Sequence, residues 1–316
     1  MDTILITGGT GFLGRALAKH FNKDYNVILG GRNNANNQTA SEQTGCMAVP
    51  LDITNVNSIN DVLDEVHPKI IIHAAATKYV DLSERFPMEC IDVNILGSQN
   101  VIRTAISKGV DTVIGISTDK AAPPVGNLYG HTKAIMERMF CSMNNHVNTN
   151  ILCVRFGNIA WSTGSVFPIW YKMVKTKGKI STTGPHMRRF LFSVQDAVQL
   201  VDKALSNSVE LAGGILSLKM KSAQILDVLV QFAALHNVSW EQVDPRPGDK
   251  IDEVLIGQLE LRHTKEIVID HNKYYFINFF KYFTNHISSE VNTLDAEKLR
   301  PDEIARLITL NSEELS

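Results

Sequence analysis

The 316-residue chain has few cysteines and no long apolar run. Cys46, Cys90, Cys141 and Cys153 form no CxxC pair and have no metal-ligand spacing, which argues against a metal or redox site and indicates reduced thiols. No apolar stretch approaches the ~18 residues of a transmembrane helix. The first predicted strand begins at Thr3, which leaves no room for a signal peptide. We therefore expect a cytoplasmic protein with no membrane span and no bound metal.

The sequence also lacks an excess of charge of either sign. Its formal net charge is −2, from 31 Lys and Arg against 33 Asp and Glu, and it has no basic stripe. This balance argues against a nucleic-acid partner and a polybasic membrane anchor, because both need concentrated positive charge. A small anionic ligand needs only local hydrogen-bond donors and remains compatible. The length suits one large α/β domain or two closely packed ones.

Short β-rich runs alternate with helical patterns through the first half of the chain. This alternation is typical of βαβ units and predicts an α/β fold with a doubly wound, parallel Rossmann sheet. We assign residues 1–157 to this dinucleotide-binding domain and residues 158–316 mainly to a smaller C-terminal substrate-binding lobe, with a helix near 194–206 returning to the first domain. The predicted strands are Thr3–Thr7, Val27–Gly30, Met47–Leu51, Lys69–His73, Thr112–Ser117 and Asn150–Arg155. The predicted helices include Ser58–Val66, Asn94–Ser107, Tyr129–Met143, Val194–Ser206, Ala223–Leu235 and Leu299–Leu310.

A glycine-rich turn, TGGTGFLG, follows the first predicted strand and opens a helix. Gly8 permits a tight turn, Gly11 lets backbone N–H groups approach a phosphate, and Gly14 allows close packing of the helix on the strand. The N-terminus of the helix favours the negative charge of a pyrophosphate. The turn therefore predicts a dinucleotide cofactor. Its expected contacts here are Gly8, Thr10, Gly11, Phe12, Leu13 and Gly14.

The end of the second strand indicates which dinucleotide is bound. NAD enzymes usually place an acid there for the ribose hydroxyls, whereas this chain has Arg32, whose guanidinium suits a 2′-phosphate. We therefore expect NADP, although stacking of Arg32 on adenine would suit both cofactors. Asp52, after the third strand, is expected to meet the adenine amine, and His73 is interpreted as a packed structural residue. The expected cofactor contacts in this region are Arg32, Asp52, Ile53, Ala74, Ala75 and Lys78.

A second group of polar residues indicates a catalytic site. Tyr129 and Lys133 are four residues apart and share one face of a helix, where the ammonium is expected to lower the pKa of the phenol. The preceding strand ends in Thr118, Asp119 and Lys120, which brings a hydroxyl, a carboxylate and an amine to the carboxyl edge of the sheet. Ligands bind at this edge in doubly wound folds. These five side chains are the candidate catalytic residues.

Several sequence blocks extend this pattern over nearly the whole chain. They are HAAATKYV at 73–80, PMEC at 87–90, STDKA at 117–121, NLYGHTK at 127–133, VRFGNI at 154–159 and RPGDK at 246–250. With them the chain resembles the extended short-chain dehydrogenase/reductases and, more narrowly, the UDP-N-acetylglucosamine 4,6-dehydratases of bacterial surface-sugar biosynthesis. The Asp119–Lys120 pair is the feature that best separates these dehydratases from nucleotide-sugar epimerases of the same fold, because the epimerases usually lack it. Asp249 departs from the family pattern, which more usually has Glu.

The resemblance implies a mechanism with tightly bound NADP. Tyr129 would take the proton of the sugar C4 hydroxyl while the C4 hydride passes to NADP, helped by Thr118 and Lys133. The resulting ketone acidifies the C5 proton, which Lys120 would remove if burial and neighbouring cations lower its pKa. Asp119, held protonated, would donate to the leaving C6 hydroxyl. Return of the hydride to C6 would restore the oxidised cofactor. The configuration at C5 would be either retained or inverted.

The resemblance further implies a UDP-sugar substrate and a homo-oligomer. Asn158 resembles a family amide that binds the diphosphate, and Arg189 and Arg246 would clamp phosphate oxygens. Each Arg alone is equally well explained as a surface charge. Asn94 is either an amide that supports the active site or a helix cap. The full set of expected substrate contacts is Lys78, Asn94, Asn158, Arg189, Arg246 and Asp249.

Two other functions fit part of the pattern. A UDP-hexose 4-epimerase would use Tyr129 and Lys133 but would leave Asp119 and Lys120 without a role. A non-catalytic NADP(H)-binding regulatory protein would keep the fold, although such proteins usually lose the tyrosine or the lysine.

Overall fold

The computed structural model describes residues 1–244 and 249–310. Its strands are β1 (Thr3–Thr7), β2 (Asn26–Gly31), β3 (Met47–Pro50), β4 (Ile70–His73), β5 (Thr112–Thr118), β6 (Asn150–Phe156), β7 (Asn158–Ile159), β8 (Lys179–Thr182), β9 (Arg188–Phe192), β10 (Ile215–Leu218), β11 (Ser222–Gln224), β12 (Ser239–Gln242), β13 (Val254–Ile256), β14 (Thr264–Ile269), β15 (Asn272–Ile277) and β16 (Val291–Asn292). Its α-helices are α1 (Phe12–Phe21), α2 (Asn34–Thr44), α3 (Val56–Val66), α4 (Val80–Arg85), α5 (Pro87–Ile91), α6 (Ser98–Ser107), α7 (Leu128–Met143), α8 (Val166–Lys177), α9 (Val194–Ser206), α10 (Ile225–His236) and α11 (Pro301–Thr309). A π-helix, Asp92–Gly97, joins α5 to α6, and a 3₁₀ turn covers Asp119–Ala121.

Within the described residues, nine strands form one sheet in the order β14-β15-β10-β6-β5-β4-β1-β2-β3. The strands from β10 to β3 pair in parallel, whereas β15 pairs antiparallel with β10 and β14. The inner strands are continuous apolar runs such as Ile70–His73 because helices cover both faces of the sheet. The strand order reverses between β1 and β4, and a cleft forms at such a switch point, at the carboxyl ends of the strands.

Polar caps fix where several flanking helices begin. The Asn55 side chain accepts from backbone N–H groups in the first turn of α3, and the Asn127 side chain accepts from Gly130 N in α7. Ser193 and Asp196 form a reciprocal capping box at the start of α9. α9 packs against α1, β5 and β6. None of the helices in residues 1–244 and 249–310 combines the length and apolarity of a membrane span.

A second apolar cluster lies apart from the main sheet and is enclosed by α8, α10 and α11. The Trp161 and Phe167 rings stack with centroids 5.4 Å apart, and Phe232 lies 5.9 Å from Phe167. The Trp161 indole N–H donates to the carbonyl of Leu307 at 2.9 Å, which ties α11 to this cluster. The three-stranded sheet β11-β9-β7 contributes Leu191 and Ala223 to this cluster.

The α/β fold with a large, mostly parallel sheet agrees with the prediction from sequence, but the sheet is wider than the six predicted strands. Residues beyond 157 contribute β10, β14 and β15, in addition to α9. The aromatic segment Tyr274–Phe276 is buried in β15 and belongs to the core. The helix predicted at Asn94–Ser107 is interrupted, because its first turn belongs to the π-helix.

Candidate active site

A cavity of about 650 Å³ opens where the parallel strands end. Its wall includes the ends of β1, β2, β4, β5 and β6 and the loop Ser162–Ser165 before α8. Most residues selected from the sequence line this one cavity. They are Gly8, Thr10, Gly11, Phe12, Leu13, Gly14, Arg32, Ile53, Ala74, Ala75, Lys78, Thr118, Lys120, Tyr129, Lys133, Asn158, Arg189 and Asp249.

Other selected residues lie behind the wall or elsewhere. The Asp52 carboxylate accepts from the Thr54 backbone N–H at 2.9 Å and from its hydroxyl at 2.8 Å, so it caps the turn before α3 rather than facing the cavity. Asn94 and Asp119 are buried and do not line the cavity. Arg246 lies outside the described residues.

The glycine turn forms a cradle that side chains would fill. Gly8 has φ +68°, and a Cβ there would lie 2.7 Å from Ala75 N, so both the backbone conformation and the space require glycine. A Cβ on Gly14 would lie 2.6 Å from Gly9 Cα, which shows how closely α1 packs on the turn. The N-cap of α1 is Gly11, which has no side chain that could block the free N–H groups of the first turn. This geometry fits a dinucleotide pyrophosphate.

Arg32 borders the cavity at the end of β2. Its side chain is 55% exposed and lies 3.7 Å from Glu89, which is 56% exposed. An exposed ion pair of this length contributes little to stability, so the Arg32 guanidinium can leave Glu89 and bind a ligand. Asn33 and Asn36 also line this end of the cavity. The donors here are suited to an anionic group.

Tyr129 and Lys133 share the cavity face of α7, but their interaction differs from the expectation. Burial raises the pKa of Tyr129 to about 12; the Lys120 ammonium and a hydrogen bond with Thr118 lower it, while Asp119 raises it. Lys133 is therefore not the cation that tunes the phenol. Burial lowers the pKa of Lys133 to about 8, and its ammonium donates to Met136 Sδ at 3.3 Å.

Lys120 sits in a cluster of charges at the end of β5. Its ammonium donates to Asp119 Oδ1 at 3.1 Å and to Asn158 Oδ1 at 3.3 Å, and it lies 3.5 Å from Glu253 Oε1. Burial alone would lower the pKa of Lys120, but the Asp119 and Glu253 carboxylates outweigh burial and Arg189, and the net pKa is raised. The condition on which the sequence made Lys120 a base, a lowered pKa, is therefore not met in this arrangement, because Glu253 adds a second carboxylate that the sequence did not place there.

Asn94 supports the cavity from behind. Its side-chain oxygen accepts from Thr77 N at 2.9 Å, and its amide donates to Thr77 O at 3.0 Å and to Thr132 Oγ1 at 3.0 Å. It therefore fixes the segment that carries Lys78 against α7, one residue before Lys133. The helix-cap alternative is wrong, because the side chain makes tertiary bonds from within the π-helix.

Arg189 is buried at the end of the cavity and is not a surface charge. Its guanidinium donates to the carbonyl of Arg188 at 2.7 Å and lies 3.7 Å from Glu253. Burial also lowers the pKa of Lys78, which lines the same cavity. His73 is fully buried between Thr7 and Ser98, at 2.8 and 2.9 Å, and burial lowers its pKa to about 3. It is a packed structural residue, as predicted.

Glu253 is the main site residue that sequence reasoning missed. It contacts Lys120 and Arg189 and lines the cavity, although it lies far from both along the chain. The feature of the sequence that could have pointed to Glu253 is its position. It lies three residues after the RPGDK block and forms an acidic pair with Asp252. From the sequence alone, an acidic pair of this kind is expected to be exposed to solvent.

Comparisons with known proteins agree with this arrangement. A family model described as "Polysaccharide biosynthesis protein" matches residues 4–278. A UDP-N-acetylglucosamine 4,6-dehydratase (inverting) of Campylobacter jejuni is 35% identical, over 83% of this chain and 80% of its own. A UDP-glucose 4-epimerase of Rickettsia bellii is 32% identical, over 89% of this chain and 86% of its own. The X-ray structure of Pen from Bacillus thuringiensis is similar over 100% of this chain and 98% of that one, with a TM-score of 0.89 at 26% identity.

Proposed function

The chain belongs to the polysaccharide biosynthesis protein family, and we propose that within it the chain is an NADP-dependent UDP-N-acetylglucosamine 4,6-dehydratase, a hydro-lyase. The family resemblance inferred from the sequence is confirmed, and the relatives support a nucleotide-sugar-modifying enzyme. One observation carries the finer proposal: the Lys120 ammonium, held by Asp119 and Glu253, lies in the same cavity as Tyr129. Oxidation of C4 does not need this cluster, whereas removal of water across C5 and C6 needs proton donors and acceptors. The expected product is a UDP-2-acetamido-2,6-dideoxy-4-hexulose.

The cofactor proposal rests on the cradle and on Arg32. The backbone of Gly8–Gly14 would hold the pyrophosphate at the N-terminus of α1, and Arg32 would pair with the 2′-phosphate of NADP. When bound, the cofactor would supply the hydride acceptor for C4 of the sugar and the hydride donor for C6. Tyr129 would accept the proton of the C4 hydroxyl after losing its own phenolic proton, and the Thr118 hydrogen bond and the Lys120 ammonium favour that ionised form. Lys133 lines the same cavity.

The substrate proposal rests on further polar residues of the same cavity wall. Arg189 and Asn158 would bind the diphosphate of UDP, with Asp249 nearby in the wall. Lys78 faces the same space from the segment that Asn94 fixes. The cluster of Lys120, Asp119 and Glu253 then lies beside the sugar.

We also propose that the protein is a homo-oligomer. An apolar surface runs over α5, the π-helix and α7, which pack against one another. Four large side chains on it are exposed: Phe86, Met88, Leu96 and Ile135. We call this surface the α5–α7 face, and a second copy of the chain would bury it.

The test is NMR of the purified protein with UDP-N-acetylglucosamine in D₂O, first without added cofactor and then with NADP⁺ or NAD⁺. We expect a 6-deoxy-4-keto product with deuterium at C5. Lys120→Ala should bind cofactor but lose water elimination, whereas Lys172→Ala, exposed on α8, should behave like the wild type. Unchanged substrate with either cofactor would contradict the proposal.

A UDP-hexose 4-epimerase is the second candidate, favoured by the Rickettsia bellii relative. It would use Tyr129 and Lys133 and would produce UDP-N-acetylgalactosamine in the same experiment. In that case Lys120→Ala would retain most of the wild-type rate.

A further inference from the structure

Trp161 has a backbone conformation that bulky residues rarely adopt. Its φ is +63°, in the left-handed region that glycine favours. The other non-glycine positions with positive φ in the described part of the chain hold His, Asn or Asp, the types that tolerate this region best. A large aromatic residue persists there only where its surroundings over-determine the conformation. Contacts of the Trp161 side chain therefore have to hold it in place.

Two contacts hold the Trp161 side chain, and neither involves the cavity. The residue is 5% exposed and does not line the cavity. Its ring stacks on Phe167 with centroids 5.4 Å apart, and its indole N–H donates to the Leu307 carbonyl at 2.9 Å. Leu307 belongs to α11, and no residue of α11 lines the cavity. Trp161 is therefore anchored outside the space available to a ligand.

The loop Ser162–Ser165, which follows Trp161 directly, is part of the cavity wall. The Ser162 N–H donates to the Ile159 carbonyl at 3.3 Å, which closes a tight turn with Trp161 as its third residue. A positive φ at this position of a turn is usually supplied by Gly or Asn. The Ser165 N–H then donates to the Ser162 carbonyl at 2.9 Å. The φ of Trp161 thus sets the direction in which the whole loop leaves the turn.

The far end of the loop faces the cavity. Gly164 lies against the ring of Tyr79, because a Cβ on Gly164 would be 2.6 Å from Tyr79 Cε1. Ser165 is the N-cap of α8 and lines the cavity, and its hydroxyl is buried without a hydrogen-bond partner in the described part of the chain. A buried hydroxyl without a partner is unfavourable, so a ligand that pairs with it gains affinity. The place of this hydroxyl depends on the turn at Trp161.

We propose that Trp161 is a positioning residue, which α11 anchors and which holds the loop Ser162–Ser165 where it contacts the UDP-sugar. The loop begins four residues after Asn158, which is part of the proposed diphosphate site. This inference rests on the proposed function and deepens it. It makes α11 a part of the substrate site although α11 touches no ligand.

The anchor acts on binding through preorganisation. A loop that is fixed before binding loses little conformational freedom when the ligand arrives, whereas a free loop has to be ordered by the ligand at a cost in affinity. The residues proposed for the chemistry, Tyr129 and Lys120, lie on other elements, α7 and the turn after β5. Loss of the anchor should therefore weaken substrate binding and leave turnover at saturation unchanged.

The test compares Trp161→Phe with Trp170→Phe. Trp161→Phe keeps a ring that can stack on Phe167 but removes the N–H that reaches Leu307. Trp170→Phe makes the same chemical change in the same apolar cluster, at a residue that also does not line the cavity. Calorimetric titration with UDP measures binding, and thermal melting measures stability. NMR of the turnover of UDP-N-acetylglucosamine gives KM and kcat.

We expect Trp161→Phe to weaken UDP binding and to raise KM by about three- to tenfold, the range that corresponds to one hydrogen bond. Its kcat should stay within about twofold of the wild type, because uniform binding is lost and not stabilisation of the transition state. Trp170→Phe should keep the UDP affinity and KM of the wild type even where it melts at a lower temperature. Trp161→Gly suits the positive φ but lacks both contacts, and it should bind UDP at least as weakly as Trp161→Phe.

Wild-type UDP affinity and KM in folded Trp161→Phe would overturn this inference and leave the proposed function intact. Wild-type affinity in Trp161→Gly would overturn it as well, because the loop would then need only the backbone conformation. An equal loss of UDP binding in Trp170→Phe would show that the cluster acts through stability alone, which also contradicts a positioning role. A wild-type protein that does not bind UDP would overturn the proposed function and this inference together.

Discussion

In the proposed function, Arg32 is the residue that would decide between NADP and NAD. The segment after β2 offers no carboxylate to a ribose hydroxyl, because it reads Gly-Gly-Arg-Asn-Asn. Replacing Arg32 with Asp removes the cation and places an acceptor there. We expect affinity for NADP⁺ to fall at least about tenfold and affinity for NAD⁺ to be maintained or to rise, since a charge-assisted hydrogen bond contributes about 1.5–3 kcal/mol. Calorimetric titration with each cofactor measures this.

Arg103→Asp is the matched control for Arg32→Asp, because Arg103 is exposed on α6 and does not border the cavity. Equal weakening of both cofactors by Arg32→Asp would contradict recognition of the 2′-phosphate. It would favour stacking of Arg32 on adenine instead.

The burial of Lys133 predicts that the free energy of unfolding depends on pH. Burial lowers its pKa from 10.5 to about 8 in the folded protein. Between these values the unfolded chain binds more protons, so the cost of burying Lys133 is full below pH 8 and fades as the pH rises to 10.5. Lys133→Met should therefore stabilise the nucleotide-free protein at pH 7 by up to about 3 kcal/mol, at about 1.4 kcal/mol per pKa unit. The gain should shrink by pH 10.

Denaturant unfolding at the two pH values measures this effect of Lys133→Met, and Lys172→Met on exposed α8 is the control. A stability difference that stays constant from pH 7 to pH 10 would show that the buried amine is not the cause.

The reasoning from sequence located Lys120 but not all of the charges around it. The residues that decide its protonation are Asp119, adjacent in sequence, and Glu253, which reaches it only through the fold. A sequence can place residues at one sheet edge when they end neighbouring strands, as with Thr118 and Asn158. It cannot show that a strand from the last quarter of the chain brings a further carboxylate to that edge.

At the scale of elements, Arg155 connects β6 to two other parts of the structure. Its guanidinium donates to Glu137 of α7 at 2.6 and 2.9 Å, to Glu260 at 2.8 Å, and to the carbonyl of Leu255 at 2.8 Å. All three charged side chains are essentially fully buried. This cluster fixes the helix that carries Tyr129 relative to the segment that follows Glu253.

Arg155→Met should lower the free energy of unfolding by about 3–5 kcal/mol, because it leaves two buried carboxylates without their cation. Guanidinium-chloride denaturation measures the loss. Arg300→Met, in an exposed pair with Asp302, should cost less than about 1 kcal/mol. A similar small loss for Arg155→Met would mean that the buried cluster is not needed for stability.

The prediction of strands succeeded where the apolar runs are continuous and failed where polar residues interrupt them. The six strands predicted in the first half agree with β1 to β6 to within a residue or two at each end, because buried parallel strands give long runs such as Thr112–Thr118. β10 and β14 were not identified. In β10 a serine interrupts the apolar run Ile-Leu-Ser-Leu, and β14 at the sheet edge alternates partly buried and exposed residues after its first position, so neither produces such a run.

At the scale of the whole molecule, the α5–α7 face predicts the assembly state. Ile135 is 47% exposed on α7, and Leu96 is 47% exposed on the adjoining π-helix. Ile135→Lys would place an ammonium in the interface that we propose, so light scattering should show a shift from an oligomer to a single chain of 35.1 kDa. Val268→Lys, on the exposed edge of β14, is the control. A wild-type protein that already has the mass of one chain would contradict the proposed oligomer.

The order of strands across the sheet has a consequence for synthesis on the ribosome. The nucleotide cradle is built from β1, β2 and β4 and is complete once the first half of the chain has emerged. The outer edge of β6 stays unpaired until β10 appears, and β10 in turn waits for β15. An unpaired edge invites pairing with other chains, so this interval is the one in which a growing chain is most exposed to aggregation. Because Glu253 is also made late, a nascent chain completes the glycine-rich turn at Gly8–Gly14 before it acquires the charge cluster of Lys120, Asp119 and Glu253.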